Sequence, residues 1–350
     1  MPNHFPTLDE LRPNLQIQPI NTGQVLNYRG IVSDNDEGLK AITNSQGKVE
    51  ISSGIEMPSY MYRGQTEEFI PCLPSLGRIK RTPQILLSLC RTVAFEEAIG
   101  NHPFVKKTEN TQFLNCFLNV DRKGLAQHYG LVTDLIDVTS NFDVATFFAV
   151  CRWDSQTQTY LPIQSASKPG VIYRISAVFL MNSAFLNEKK EEVFNFMGWQ
   201  PLKRPEQQRA CGIRLTKGQD FIKMPAVQMV RFRHNPEISE RIWHSFDQGH
   251  ALFPEDPAAD LAKQALDLNC FTREQVDRAW IRLETWKGRT YSSKKRRCAE
   301  KQEKIRLLNK PILTWDGLNV ESDEQKLQEN LYHILEKVKF RRVWYPGEES

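Results

Sequence analysis

A β-strand is predicted for residues 170–176, Gly-Val-Ile-Tyr-Arg-Ile-Ser, because apolar and polar side chains alternate there. Outward from this segment, Tyr60-Met61-Tyr62 and Val227–Phe232 also predict strands. Residues 143–151 are short and mostly apolar, which indicates a buried helix or strand. This interrupted strand pattern favours an α+β fold, with a mixed, mostly antiparallel sheet core and flanking helices.

Helical patterns flank and follow these strands. Pro83 precedes apolar residues at helical spacing up to Ala98, and proline suits the first turn of a helix. Two capping-box patterns, Thr272–Gln275 and Ser322–Gln325, each open an apolar series of helical period. The last third of the chain is therefore predicted to be a helical extension.

The chain divides into three predicted parts: a small β-rich segment at 1–58, a core domain at 59–263 and the helical, basic extension at 264–350. The first part contains short extended candidates, Gly30-Ile31-Val32-Ser33 and Lys48-Val49-Glu50-Ile51, separated by turn-forming residues. It holds too few apolar residues to build a core alone, so we expect it to pack on another part.

The composition of the 350 residues, 40% hydrophobic and 25% charged, is that of an ordinary globular protein and excludes collagen-like and disulfide-dense classes. No apolar run approaches the roughly 18 residues of a membrane helix. Residues 1–15 lack the basic and apolar pattern of a secretory signal. The seven cysteines are scattered without a CxxC pair. We therefore expect a cytoplasmic protein with no membrane partner and no metal site.

Positive charge is concentrated in one stretch of the chain. Residues 287–310 contain ten Lys or Arg and two Glu, a local net charge of +8, whereas the whole chain carries +4. This stretch includes Lys294, Lys295, Arg296 and Arg297, which are candidate nucleic-acid-binding residues because cations hold phosphate backbones. The alternative interpretation is a solvated helix face or loop.

Three polar constellations interrupt the apolar pattern. In the first, Tyr62-Arg63-Gly64-Gln65, an arginine follows an apolar strand and can present its five-donor guanidinium to a phosphate or carboxylate. The neighbouring glycine permits a ligand to approach the backbone. The alternative is a structural arginine that binds carbonyl groups or an acidic neighbour.

The second constellation joins Gln127-His128-Tyr129-Gly130 to Asp137-Val138-Thr139-Ser140-Asn141. His128 is a candidate general acid or base, although a satisfied structural histidine is the commoner case. Asp137 lies between Ile136 and Val138, so burial should give it a partner such as Arg63 or the backbone of the next turn. Thr139 and Ser140 either cap the following helix or bind a ligand ribose.

The third constellation is Arg204-Pro205-Glu206-Gln207-Gln208, followed by Gly212. Glu206 or Gln208 is positioned to face a ligand at the start of a strand. A polar turn is the alternative.

These residues resemble the bacterial FRG domain family over about residues 59–263. The resemblance rests on four blocks in the family's order: Tyr62–Gln65 with Leu73–Arg78, Ala126–Ala149, Arg204-Pro205 with Gln208 and Gly212, and Gly249–Asp256. Val132, Asp134 and Val138 stand where the family pattern has Pro, Arg and Trp.

The same order of residues is more distantly similar to ADP-ribosyltransferases of the Arg-Ser-Glu type. This resemblance implies their fold, with NAD as co-substrate and no metal. It implies that Arg63 holds the NAD phosphates or ribose, with Gly64, Gln65 and Tyr129 beside it, and that Thr139 and Ser140 contact the nicotinamide ribose. The catalytic candidates are Glu206, Gln208, His128 and Asp137.

The resulting hypothesis is an ADP-ribosyltransferase-like toxin or antiphage effector that modifies a macromolecular acceptor, nucleic acid or protein, and has a neutralising antitoxin as a possible partner. A non-catalytic module that binds a ligand or nucleic acid is the alternative, since no clear catalytic carboxylate accompanies Gln208.

Overall fold

The computed structural model describes residues 5–16, 39–44, 46–53, 60–177, 179–180 and 194–342. The helices in these ranges are α1 (Leu8–Leu15), α2 (Ser75–Arg78), α3 (Thr82–Gly100), α4 (Pro103–Glu109), α5 (Arg122–His128), α6 (Phe142–Val150), α7 (Arg204–Gln207), α8 (Pro236–Ser245), α9 (Pro257–Asp267), α10 (Arg273–Lys287), α11 (Ser293–Gln302) and α12 (Glu324–Glu336).

The strands are β1 (Leu39–Thr43), β2 (Val49–Ser53), β3 (Tyr60–Gln65), β4 (Gln112–Phe113), β5 (Cys116–Phe117), β6 (Leu135–Thr139), β7 (Cys151–Asp154), β8 (Thr159–Pro162), β9 (Gly170–Ser176), β10 (Phe194–Phe196), β11 (Ala210–Arg214), β12 (Val227–Phe232), β13 (Cys270–Thr272), β14 (Arg306–Leu308) and β15 (Val338–Arg342). The predicted strand at Gly30–Ser33 lies outside the described residues. The one at Lys48–Ile51 is confirmed as β2.

A six-stranded sheet forms the centre of the molecule, in the order β10-β11-β6-β3-β9-β12, and all its neighbouring strands are antiparallel. Helix α6 packs on one face, where Ala145 and Phe147 join Tyr62 and Ile172 in a buried cluster. The opposite face buries a second cluster around Tyr173. The expected mixture of helices with a mostly antiparallel sheet is confirmed.

The central sheet is split between β3 and β6. β3 pairs with β9 through six residues and β6 pairs with β11 through five, but Tyr62 and Thr139 form the single residue pair recorded between β3 and β6 in the described chain. Beyond this pair, a side chain and not the backbone connects the two strands. Arg63 Nη1 on β3 donates to the main-chain oxygen of Asp137 on β6 at 2.7 Å. The split therefore leaves an opening in the middle of the sheet.

The C-terminal helices pack on the core. α10 and α11 lie against α3 in one buried cluster, and Arg282 of α10 makes two hydrogen bonds, 2.7 and 2.6 Å, to the buried carboxylate of Glu96. β15 pairs with β1, so the last described strand joins β1 and β2 of the N-terminal part in a small three-stranded sheet. Every helix in the described ranges is too short or too polar to cross a lipid bilayer.

Helix starts agree with the sequence except at two positions. The first is α6, which is capped by Asn141 and not by Thr139 or Ser140, and the second is α12. The capping box of Thr272 and Gln275 is confirmed at the start of α10. The expected cap at Ser322 is wrong, because Asp323 caps α12 by accepting from the N–H groups of Gln325 and Lys326. Both residue types are good N-caps, so the four-residue pattern alone did not fix the position.

His102 caps α4 and makes the stability of the fold depend on pH. Its Nδ1 accepts from the N–H of Phe104 at 3.1 Å, and burial lowers the pKa of His102 to about 4, against a small opposing effect of Asp256. The unfolded chain, with a histidine pKa of about 6.5, binds the proton more tightly, so acidification from pH 6.5 to 4 should destabilise the fold.

Asparagine at position 102 keeps an acceptor at the cap but does not titrate. We therefore expect the free energy of unfolding of His102→Asn to fall by about 2–3 kcal/mol less than that of the wild type as the pH drops from 6.5 to 4. Urea unfolding of both proteins at pH 7, 5.5 and 4.5 measures it. Equal pH slopes of the free energy of unfolding in the two proteins would contradict this role for His102.

Candidate functional site

A cleft of about 1850 Å³ opens at the split in the central sheet. Its lining includes residues 62–73 from β3 and the loop after it, 127–130 at the end of α5, 137–139 of β6, the β7–β8 hairpin, Arg204, Gln208 and residues 248–250 and 253–257. Side chains from the adjacent strands β3 and β6, and from residues at and just before the start of β11, thus meet in one place.

Arg63 lies at the edge of the split. Its register partner on β9 is Tyr173, so the side chain starts on the sheet face opposite α6 and reaches across to the Asp137 carbonyl. The buried Nε of Arg63 has no hydrogen-bond partner within the described part of the chain. Burial raises the pKa of the neighbouring Cys72 thiol, and the charge of Arg63 opposes this shift. The guanidinium is therefore held in place with donor capacity left over.

The carboxylate of Asp137 is on the other side of the split, beside α5. Gln127 Nε2 donates to Asp137 Oδ2 at 2.9 Å, and the Gln127 amide oxygen in turn accepts from the hydroxyl of Thr133. The side chain of Asp137 is 41% exposed, so it faces the cleft. The sequence led us to expect Arg63 or the backbone of the next turn as its partner, but Arg63 binds the Asp137 main chain and Gln127 binds the carboxylate.

Gln208 determines which nitrogen of His128 carries a proton. The Gln208 amide nitrogen donates to the Leu252 carbonyl at 3.0 Å, so its oxygen must face His128 Nδ1, 2.8 Å away. Nδ1 therefore donates, and Nε2 of neutral His128 is a bare acceptor. Because both side chains are buried, with His128 only 5% exposed, this arrangement is fixed by the core.

His128 Nε2 and Asp137 Oδ1 face each other at 3.7 Å. Neither buried atom has a hydrogen-bond partner among the described residues. Two acceptors in this position can share one proton as an ion pair, or one of them can accept a hydrogen bond from a ligand hydroxyl, so the pair is suited to hold or move a proton.

Thr139 and Ser140 differ in their surroundings. The Thr139 hydroxyl donates to the Gln208 carbonyl at 2.8 Å and accepts from the Asn141 N–H at 3.1 Å, which ties β6 to the start of α6. Asn141 caps α6. Thr139 lines the cleft, but Ser140 is not among its lining residues in the described structure.

The other candidate residues fall into two groups. Gly64, Gln65 and Tyr129 line the cleft. The Tyr129 hydroxyl donates to Asp256, and burial followed by the charge of Asp256 raises the pKa of Tyr129. Glu206 lies on the short helix α7, where burial raises its pKa, and it is not among the described residues that line the cleft. Residues 294–297 lie on α11, also outside the lining.

Sequence reasoning missed an aromatic wall of the cleft. Tyr160 stacks on Phe253 with ring centroids 4.8 Å apart, and the Arg204 guanidinium lies over the rings of Tyr129 and Phe253. The rings come from distant segments, so the available signals were separate: the Arg-Pro pattern at 204–205, Tyr129, and the block Gly249–Asp256 that contains Phe253. Among the described residues, no three His, Cys, Asp or Glu side chains are grouped so that they could hold a metal ion.

Residues 58–158 match the FRG domain family model. This matched segment contributes β3, α5, β6 and α6, and with them Arg63, His128, Asp137 and Thr139. Gln208, Leu252 and the aromatic Phe253 come from residues after it. No curated protein and no solved structure matches the chain.

Proposed function

We propose that the cleft binds NAD and that the protein transfers the ADP-ribose group of NAD to a macromolecular acceptor. The observation that carries this proposal is the meeting of Arg63 with His128 Nε2 and Asp137 Oδ1 at the split of the sheet, since these two atoms have no hydrogen-bond partner among the described residues. A dinucleotide needs a cation for its pyrophosphate and hydrogen-bonding groups for its ribose hydroxyls. Buried polar atoms that lack partners fit such a ligand.

In this reaction the bond between the nicotinamide nitrogen and C1′ of its ribose breaks, nicotinamide leaves with the bonding electrons, and C1′ bonds to an oxygen or nitrogen of the acceptor, which loses a proton. The protein must therefore stabilise positive charge near C1′ and accept a proton from the nucleophile.

Asp137 supplies the negative charge in this scheme, since a carboxylate that Gln127 holds in a fixed orientation stabilises positive charge that develops beside it. His128 accepts the proton at Nε2, and Gln208 is a positioning residue that keeps Nδ1 protonated. Arg63 lines the cleft, and the positive charge of its guanidinium holds the pyrophosphate. The stacked rings of Tyr160 and Phe253 offer a flat apolar surface for an aromatic base.

The assignment of the carboxylate differs from the sequence hypothesis, in which Glu206 or Gln208 was the third member. Gln208 carries an amide whose two ends are engaged by His128 and Leu252. Glu206 lies outside the described lining of the cleft. We therefore give the role to Asp137. Loss of NAD or modification of an essential macromolecule would harm the cell that makes the protein, which is the basis for proposing a toxin or defence effector.

The test is incubation of the purified protein with NAD labelled in its adenylate half. We expect nicotinamide release and transfer of label to a component of a cell lysate. We also expect Arg63→Ala to raise the Kd for NAD by about 10- to 100-fold, because a charged hydrogen bond is lost. Arg297→Ala, an exposed arginine outside the cleft, is the matched control and should bind NAD normally.

Arg63 has two roles to separate: binding of phosphate through its charge, and the structural hydrogen bond to the Asp137 main chain. Arg63→Lys keeps the charge, and its urea unfolding midpoint shows whether the fold is affected. NAD binding without any nicotinamide release would favour the alternative, a non-catalytic binding module. This alternative rests on position 208, where the side chain is an amide and not a carboxylate. Absence of both binding and release in a folded protein would remove the proposal.

A further inference from the structure

The C-terminal basic stretch forms a surface that is separate from the cleft. We define the basic surface as Lys217, Lys287, Arg289, Lys294, Lys295, Arg297 and Lys301, all of which are exposed except the half-buried Lys287. They come from the loop after β11, the end of α10 and helix α11. None of the seven is among the described residues that line the cleft.

Among the described residues, few carboxylates pair with the cations of this surface. Of the ten Lys and Arg at 287–310, Arg296 has ion-pair partners in the described structure, at Asp277 and Glu300, and the other nine have none there. Burial lowers the pKa of Lys287, and the nearby charges of Lys217, Arg289 and Lys295 lower it further. Cations from two separate segments therefore lie close together and repel one another, and a bound anion would reduce this repulsion.

Helix α11 presents its cations in a row. Lys294, Arg297 and Lys301 are spaced i, i+3 and i+7, so they share one face over a helix about 15 Å long. Ala299 on the opposite face is buried against α3, and Arg296 lies over the Trp280 ring. Arg296 thus faces inward and anchors the helix on the core. The sequence had grouped it with Lys294, Lys295 and Arg297 as a candidate nucleic-acid-binding residue.

We propose that the basic surface binds the phosphate backbone of nucleic acid. A row of exposed cations on a firmly packed helix, without ion-pair partners in the described part of the chain, matches the regular charges of a polynucleotide. An anionic membrane is disfavoured, because interfacial helices also need an apolar face, and the exposed large hydrophobic residues nearest in the described sequence are Ile281 and Leu307, beyond both ends of α11. The proposal does not depend on the chemistry of the cleft, and its test measures binding alone.

The test is fluorescence anisotropy of a labelled 20-nucleotide RNA and of a DNA duplex of the same length, titrated with the full chain between 50 and 200 mM salt. The test variant carries Lys294→Gln, Arg297→Gln and Lys301→Gln. The matched control carries Lys48→Gln, Lys106→Gln and Lys203→Gln, three exposed lysines elsewhere, with the same change in net charge.

We expect binding that weakens steeply with salt. For duplex DNA, the test variant should lose about 2.7 from the slope of log K against log salt and at least about 10-fold in affinity, whereas the control changes little. Cys298, which is exposed in the middle of the row, should react more slowly with iodoacetamide when nucleic acid is bound. Equal affinities of the two variants, binding that is insensitive to salt, or binding to anionic vesicles without binding to either nucleic acid would each overturn the proposal.

Discussion

Asp137→Asn is expected to lower kcat for nicotinamide release from NAD by about 100-fold or more, with little change in the stability of the fold. The substitution removes the negative charge that we assign to the stabilisation of the ribose cation. It preserves the shape of the side chain, and the asparagine oxygen can still accept from Gln127 Nε2. Steady-state rates of nicotinamide release, together with urea unfolding of both proteins, measure the two effects.

Glu206→Gln is the matched control for this prediction. It also neutralises one carboxylate of the third constellation, but Glu206 lies on α7 and is not among the described cleft residues, so kcat should stay near the wild-type value. Full activity of Asp137→Asn, or an equal loss in Glu206→Gln, would show that the carboxylate is wrongly assigned.

Gly64→Ala is expected to destabilise the fold by about 3 kcal/mol or more. A Cβ at position 64 would lie 1.8 Å from the Ala145 carbonyl oxygen and 2.8 Å from the Ala149 nitrogen. Both atoms belong to the backbone of α6, so no side chain can move away to make room. The helix or the strand that carries Arg63 would have to shift.

Gly212→Ala is the control on the same sheet, because its Cβ would meet nothing closer than a Leu135 methyl at 3.5 Å, an ordinary contact. We expect its free energy of unfolding to stay within about 0.5 kcal/mol of the wild type. Urea unfolding followed by circular dichroism compares the two variants. If both alanines were tolerated equally, the close packing of α6 on β3 would be refuted.

Local patterns predicted the elements well where they carried their own signals. The alternation at 170–176 and the proline at the start of α3 both correspond to observed elements. The continuous apolar character of residues 143–151 suits either a helix or a strand, so the sequence did not decide between them. In the structure the segment forms α6, which Asn141 caps. The third constellation was expected to be a strand start or a turn, and it forms the short helix α7 before β11.

The geometry of the site was less accessible, because it depends on contacts between distant segments. The sequence singled out Arg63 and Asp137 as possible partners, but it did not reveal that one pairing joins β3 to β6 and that the guanidinium therefore reaches a main-chain carbonyl. Gly64 was interpreted as a place for a ligand to approach, and the structure fills that place with the backbone of α6. The orientation of the Gln208 amide depends on Leu252, which no local pattern connects to it.

Hydrogen–deuterium exchange with and without NAD tests most directly whether the split in the sheet is the ligand site. We predict that NAD slows exchange in peptides that cover residues 60–65 and 127–139, on the two sides of the split, and leaves residues 293–302 unchanged. Unchanged exchange on both sides of the split at saturating NAD, or protection confined to other parts of the chain, would contradict the account.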